Sequence, residues 1–226
     1  MAEIETQIKE ALTNLNSEKE RKFDQTVDLI INLQKFNVKK DSINLFINLP
    51  HKIKDKKIAG FLEVKNDAID TITPNEFIKY KDKKELKRLV SKYDFFVAQG
   101  NLMPKVATTF GRALGPAGKM PSPQMGIMLN ADEKSISALR EKIDTGVKIR
   151  TKEASIKLAV GKKSMKEEHV LENAMAMYNA ILKALPRKIE NIKNVELKYT
   201  MSKPQKISLR WNQDLLQKFQ NLKRKP

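Results

Sequence analysis

Residues 22–33 read KFDQTVDLIINL, and apolar side chains occupy alternate positions through most of this stretch. The alternating apolar residues are Phe23, Val27, Leu29, Ile31 and Leu33. A period of two places them on one face of a β-strand and leaves the polar residues on the other face. The stretch therefore predicts a strand with one buried face, which other elements of the chain must cover.

The segments on either side complete a first group of elements. Residues 41–50, DSINLFINLP, alternate in the same way, and residues 58–64, IAGFLEV, predict a further strand. Before the first strand, apolar residues recur at the spacing of an amphipathic helix: Ile4, Ile8, Ala11, Leu12 and Leu15. The first sixty residues thus predict a helix and three largely antiparallel strands.

The pattern changes near residue 66 and changes back near residue 147. Between these points short helices alternate with short apolar strands, which is typical of a parallel α/β sheet. The predicted elements there are helices over 83–92, 101–110 and 131–144 and a strand over 93–99. The last part predicts paired strands within 147–161, a long helix over 165–185 and a strand over 194–201.

This order predicts an α/β protein with two domains, the first of α+β character. Residues 1–65 and 151–226 form a discontinuous domain, and residues 66–150 form an inserted, Rossmann-like α/β domain. The expected N-cap of the helix near residue 133 is Asp132 or a close neighbour.

The composition indicates a polyanionic partner. The 226 residues include 44 Lys and Arg against 27 Asp and Glu, for a formal net charge of +17, with a mean hydropathy of -0.52. Such a field attracts nucleic acid or an anionic membrane. Cysteine is absent, which excludes disulfides and thiolate chemistry. His51 and His169 are far apart in sequence, and we therefore predict that they occupy surface or turn positions and do not bind a metal.

The segment GRALGPAGKMPSP, residues 111–123, resembles the end of a phosphate-binding loop. The pattern G-x-x-x-x-G-K-[ST] requires a glycine and a hydroxyl where this chain has Ala113 and Met120. Pro116 also removes a backbone N–H that a phosphate cradle would use. We therefore predict a stiff basic loop, no nucleotide or other cofactor, and no enzymatic activity, since no catalytic arrangement stands out elsewhere.

Basic residues lie on or beside several predicted strands, accompanied by an aromatic ring and two hydroxyls. Lysines in such positions can form a phosphate-binding face, and Phe23, Thr26 and Thr200 can contact bases or 2′-hydroxyls. On spacing alone, an ordinary solvated surface remains an equal alternative.

Four motifs resemble the ribosomal protein L1 family. They are FGRALGPAGKMPSP at 110–123, KFDQTVDLIINL at 22–33, LAVGKKSM at 158–165 and YTMSKP at 199–204. YDFFVAQGNLMP at 93–104 and GKMPSP at 118–123 resemble archaeal members more than bacterial ones. The resemblance implies a hinged, monomeric protein of the large ribosomal subunit in the cytoplasm. It implies binding to rRNA at the mobile stalk, release of deacylated tRNA at the exit site and repression of the protein's own mRNA.

The resemblance also implies which residues bind RNA, and Lys198 and Lys203 are added because they flank the last strand. The full set is Lys22, Phe23, Thr26, Lys157, Val160, Gly161, Lys162, Lys198, Thr200, Met201, Ser202 and Lys203. Ser202 departs from the family, which has glycine there; glycine would permit a positive φ and close approach of RNA. Arg112 and Lys119 are predicted as secondary phosphate contacts on a rigid loop near the hinge.

Overall fold

A computed structural model describes residues 2–17, 19, 21–66, 68–123, 126–128, 133–151 and 153–207. Asp132 and the basic tail after residue 207 lie outside these residues. The helices are α1 (Ala2–Asn16), α2 (Lys83–Lys92), α3 (Met103–Ala117), α4 (Glu133–Thr145) and α5 (Glu167–Ala184). The strands are β1 (Thr26–Leu33), β2 (Asn44–Asn48), β3 (Ile58–Phe61), β4 (Asp70–Ile72), β5 (Phe95–Gln99), β6 (Ile127–Met128), β7 (Gly146–Arg150), β8 (Ser155–Lys162), β9 (Ile192–Tyr199) and β10 (Gln205–Ile207). Parallel and antiparallel sheets together confirm the predicted α/β class.

The chain divides into two compact units. The first contains the described residues up to Ile53 and from Thr145 onward, and the second contains residues 54–144. These limits differ from the predicted 65/66 and 150/151. The sequence predicts that the strand at 58–64 belongs to the first domain, whereas β3 pairs in parallel with β4 and β5 of the second unit. All four residues of β3 are buried, as in a parallel sheet covered on both faces.

The first unit is built on a four-stranded antiparallel sheet with the order β10–β9–β1–β8. The alternation predicted for β1 is present: Val27, Leu29, Ile31 and Leu33 are buried. Their face packs against α1 and α5, whose apolar residues complete the same core. Phe23 does not take part, because it precedes the strand and its side chain is exposed.

Strands β2 and β7 form a separate antiparallel pair, called here the β2/β7 ribbon. The strands predicted as a pair within 147–161 therefore do not pair with each other: β7 joins β2, and β8 joins β1. Buried Thr151 fixes the ribbon at one end. Its hydroxyl accepts the Ile43 N–H at 2.8 Å, and its own N–H donates to the Ile43 carbonyl at 3.0 Å.

A fully buried amide, Asn173 on α5, joins three elements of the first unit. Its nitrogen donates to the Val160 and His51 carbonyls, both at 3.0 Å, and its oxygen accepts the His51 N–H at 3.0 Å. The His51 ring stacks on His169 with centroids 3.8 Å apart. The two histidines are thus neighbours in space. No group of three or more candidate metal ligands occurs among the described residues.

The second unit has a parallel sheet with the order β4–β3–β5–β6 and helices on both faces. One core contains Phe61 and Phe96 of the sheet with buried residues of α2 and α3, and the other contains buried residues of α4. Helices on both faces of a parallel sheet make this unit a doubly wound α/β arrangement. None of the described helices combines the length and apolarity needed to cross a bilayer.

The segment 111–123, predicted as a loop, is helical in its first half. Helix α3 continues to Ala117 because Val106, Phe110 and Leu114, spaced by four, are all buried, and it ends at Gly118 with a φ of 72°. The ammonium of Lys119 then donates to the Val90 and Tyr93 carbonyls at 2.7 and 2.8 Å. This lysine therefore closes the C-terminal end of α2 instead of standing free on a loop.

Replacing Asn173 with alanine should destabilise the first unit. Asn173→Ala leaves backbone groups of His51 and Val160 buried without partners and opens a small cavity. The free energy of unfolding should fall by about 2–4 kcal/mol, measured by urea denaturation. Asn179→Ala, on a half-buried position of the same helix, is the control and should cost markedly less. Equal losses would show that the hydrogen bonds contribute nothing specific.

Replacing Lys119 with methionine tests its structural role. Lys119→Met keeps the aliphatic stem but removes the donor to the last carbonyls of α2. The expected loss is about 1–2 kcal/mol of stability, measured by thermal and urea denaturation. Lys105→Met, exposed on α3, is the matched control. A stability unchanged in both variants would contradict this role.

Candidate nucleic-acid interface

Antiparallel pairing brings three distant segments to one end of the first unit's sheet. Thr26 at the start of β1 pairs with Lys162 at the end of β8, and Val27 pairs with Tyr199 at the end of β9. The residues at this end, 22–26, 160–164 and 199–203, are called here the strand-end rim. Most of the predicted RNA-binding residues belong to it, although they come from distant parts of the chain; Thr26 and Thr200, for example, are 174 residues apart.

A β-bulge shapes the β8 side of the rim. Val27 pairs with Gly161 and Asp28 with Ala159, so Val160 has no partner of its own. Val160 and Gly161 are both buried. A Cβ on Gly161 would lie 2.8 Å from Cγ2 of Val170 on α5. The glycine therefore permits close packing of α5, and the half-buried Lys162 follows it at the end of β8.

Reciprocal hydrogen bonds hold the β9 side. The Thr26 N–H donates to the Thr200 hydroxyl at 3.2 Å, and the Thr200 N–H donates to the Thr26 carbonyl at 3.1 Å. The Ser202 hydroxyl accepts the Tyr199 N–H at 2.8 Å, and the Ser202 N–H donates back to the Tyr199 carbonyl at 3.1 Å. The described non-glycine residues with positive φ are Lys35 and Lys188. Ser202 therefore closes its turn without the conformation that glycine would supply.

Gln25 is a site residue absent from the sequence prediction. It is buried, its side-chain oxygen accepts the Met201 N–H at 3.2 Å, and its carbonyl accepts the Lys163 N–H at 2.8 Å. It thereby ties together all three segments of the rim. The sequence feature that could have identified Gln25 is its place in the alternating stretch: it is polar, but it stands between Phe23 and Val27 at a position where the alternation predicts an apolar residue.

Asp24 balances part of the positive charge of the rim. Its carboxylate accepts the Ser164 N–H at 3.1 Å and the Ser164 hydroxyl at 2.9 Å, and it lies 3.6 Å from Nζ of Lys162. Burial alone would raise the pKa of Asp24, but the bonds from Ser164 and the charge of Lys162 together lower it below its ordinary value. The carboxylate is therefore ionised at neutral pH and holds the β8 turn against β1.

Two large apolar side chains of the rim face solvent. Phe23 is 52% and Met201 is 60% exposed. Only Val64 and Ile78, in the second unit, are other large apolar side chains with such exposure among the described residues. The same three segments also contain four lysines: Lys22, Lys162, Lys163 and Lys203.

Lys157 and Lys198 lie away from the rim, on the face of the sheet opposite α1 and α5. Lys157 pairs in register with Ile30 and is 3.6 Å from the carboxylate of Glu153. Lys198 pairs with Asp28, whose pKa is raised by burial and lowered in smaller part by this lysine. Each lysine thus has a carboxylate near it, Glu153 just before β8 in one case and Asp28 on β1 in the other.

The two predicted secondary contacts belong to the second unit. Arg112 is exposed on α3, whereas the ammonium of Lys119 is bound to two carbonyls. We therefore leave Lys119 out of the candidate interface.

Comparison with known proteins agrees with the motifs. The model of the Ribosomal protein L1p/L10e family matches residues 15–203, which include the whole rim. Large ribosomal subunit protein uL1 of Thermofilum pendens is 37% identical over 218 residues, which cover 91% of this chain and 92% of that protein. The uL1 proteins of Archaeoglobus fulgidus and Nanoarchaeum equitans are 36% and 35% identical over 86% and 81% of this chain, and over 92% and 91% of their own lengths.

These relatives confirm the predicted archaeal character of the sequence. Since the match spans most of its length, the chain belongs to the Ribosomal protein L1p/L10e family of structural, non-enzymatic ribosomal proteins.

Proposed function

We propose that this protein is a structural constituent of the large ribosomal subunit and binds large-subunit rRNA at the mobile stalk. The strand-end rim of the first unit is the proposed binding surface. The observation that carries the proposal is the exposure of Phe23 and Met201 among lysines at one end of the sheet. Nucleotide bases can stack on exposed large apolar side chains and remove them from water. The lysines add contacts to phosphates, and these contacts weaken as the salt concentration rises.

The internal bonding of the rim supports recognition of RNA shape. Gln25, Asp24 and the Thr26–Thr200 pair fix the three segments to one another before any RNA arrives. A preformed surface loses little conformational entropy on binding. Side chains cannot read the deep, narrow major groove of A-form RNA, so such a surface suits an irregular junction with accessible bases and 2′-hydroxyls.

We also propose the two finer roles that the resemblance implies. The protein assists release of deacylated tRNA at the exit site of the cytoplasmic ribosome, and it represses translation of its own mRNA. Both roles need only the same class of partner, a folded RNA with exposed backbone and bases. The names of the relatives, all large ribosomal subunit proteins, support the placement in the ribosome.

Filter binding over a salt series tests the proposed rRNA recognition. The protein should hold a stalk-junction fragment of large-subunit rRNA at salt concentrations that release an RNA duplex of equal length. Phosphate contacts alone would give both RNAs the same steep salt dependence. Release of both RNAs at the same salt concentration would mean that the protein binds RNA only through nonspecific charge, and it would overturn the proposal.

A matched pair of charge substitutions tests the location of the binding surface. Met201→Asp places a carboxylate on an exposed apolar position of the rim, and Val64→Asp makes the same change on an exposed apolar position of the second unit. Met201→Asp should weaken junction binding by at least about tenfold, equivalent to about 1.4 kcal/mol, while Val64→Asp leaves it nearly unchanged. Equal effects would remove the rim from the proposal.

A further inference from the structure

The helical surfaces of this protein differ in charge. Helices α1 and α5, which cover the sheet of the first unit, contain six Glu and two Lys in their sequences. Helices α2 and α3 of the second unit contain seven Lys and Arg and one Glu. Helix α4, on the other face of the same sheet, has three residues of each sign. The net charge of +17 is therefore not spread evenly, and α2 and α3 stand out as basic.

Helices α2 and α3 belong to one layer of the second unit. Leu89 of α2 and Phe110 of α3 are buried in the same core, and the ammonium of Lys119, just after α3, binds the last carbonyls of α2. Lys92 lies over the Tyr93 ring. The other cations of the two helices are exposed and define what is called here the α2/α3 surface: Lys83, Lys84, Lys87, Arg88, Lys105 and Arg112.

The carboxylates on and next to α2 do not neutralise this surface. Asp82 caps the helix and accepts a backbone N–H at 3.4 Å, and Glu85 pairs with Arg88 at 2.8 Å. Three lysines of α2 have no carboxylate of a described residue within ion-pair distance: Lys83, Lys84 and Lys87. Like charges three and four residues apart on a helix repel one another. A bound polyanion would relieve this repulsion.

Double-helical RNA suits this surface better than a single strand. Single strands bind where exposed rings offer platforms for stacking. The rings of α3 and of the adjoining 3₁₀ helix Pro74–Lys81 are buried or half-buried and pack on one another: Phe77, Tyr80 and Phe110. Cations without accessible rings match the phosphates of an A-form helix, which proteins recognise mainly through its backbone.

An anionic membrane is the other polyanion that such a charge attracts. Stable attachment to a membrane normally adds apolar side chains that enter the lipid. Of the large apolar side chains described in α2, α3 and the adjoining 3₁₀ helix, Ile78 is the one with high exposure, at 68%. One apolar side chain beside six cations favours contact with phosphates in water over insertion into lipid.

We infer that the α2/α3 surface is a second RNA-binding surface, which binds the phosphates of double-helical RNA. Lys83, Lys84 and Lys87 make the main contacts, without reading sequence, and binding weakens steeply as the salt concentration rises. The two surfaces thus differ in target, since the rim takes an irregular junction and the α2/α3 surface takes a regular helix. The choice of RNA among polyanions rests on the proposed function.

A pair of charge removals in the whole chain measures this surface with a regular RNA duplex. Lys84→Gln with Lys87→Gln, called here the α2 variant, should lower the slope of log affinity against log salt by about two. The control is Lys9→Gln with Lys183→Gln, which removes the same charge from exposed positions on α1 and α5 and should leave the slope unchanged. Circular dichroism melting establishes that each variant is folded.

A rim variant separates the two surfaces. Lys22→Gln with Lys203→Gln removes two exposed cations of the rim. The ratio of the affinity for the stalk-junction fragment to the affinity for the duplex should fall in this variant. The same ratio should rise in the α2 variant, because that variant loses contacts to the duplex.

Chemical modification gives a readout that needs no substitution. Lysines of the wild-type protein are acetylated with and without the RNA duplex, and the extent of acetylation at each lysine is measured by mass spectrometry. The duplex should protect Lys84 and Lys87 and leave Lys9 and Lys183 as reactive as in the free protein.

The outcomes separate the two proposals. Equal salt slopes for the α2 variant and the control, or no protection of Lys84 and Lys87, overturn the inference and leave the rim proposal intact. Vesicles of phosphatidylserine and phosphatidylcholine that bind the wild-type protein but not the α2 variant, with duplex binding unchanged, would assign the surface to a membrane. Release of junction and duplex at the same salt concentration, with a lowered slope in the α2 variant, would overturn the rim proposal alone.

Discussion

The position of β1 between β8 and β9 is the constraint on which the first unit depends. Its apolar face must meet α1 and α5, and its ends must align with strands from a distant part of the chain. A slip of one residue would turn the apolar set toward water, so the register is strongly specified. That register alone places residues 22–26, 160–164 and 199–203 side by side. The candidate interface is thus a consequence of how the core is packed.

Polar groups at the boundary of this core convert the alignment into a defined surface. Gln25 occupies an inward-facing position, but it accepts hydrogen bonds from the turns that follow β8 and β9. Asn173 does the same for the end of β2 and the bulge at Val160. Buried amides of this kind stabilise a structure only when every partner is present. Asn173 therefore connects the segment just after β2 with the β8 side of the rim.

Several of these features could be predicted from the sequence, and the failures have physical causes. Alternation marked β1 and β2 correctly because each has one buried face. It could not assign β3, since a short, fully apolar strand carries no information about its partners. Glycine and proline suggest a loop at 111–123, but burial of Leu114 extends α3 to Ala117, into the first half of that segment. The candidate residues came from family motifs. The pairing of β1 with β8 and β9 shows that most of them meet. The hydrogen bonds of the structure show that Gln25 holds these segments together and that Lys119 caps α2.

The discontinuous first unit has a consequence for biosynthesis. Residues 54–144 form a unit whose strands are all present once that segment has been made. The centre of the first unit, however, is translated early and waits for β8 and β9; Gln25, for example, bonds to Met201, which is 176 residues later in the chain. Contacts of such separation form slowly because a long loop must close first. During synthesis the apolar face of β1 thus stays uncovered until β8 and β9 are made, and the proposed RNA-binding surface is complete only when residues 199–203 have also been translated.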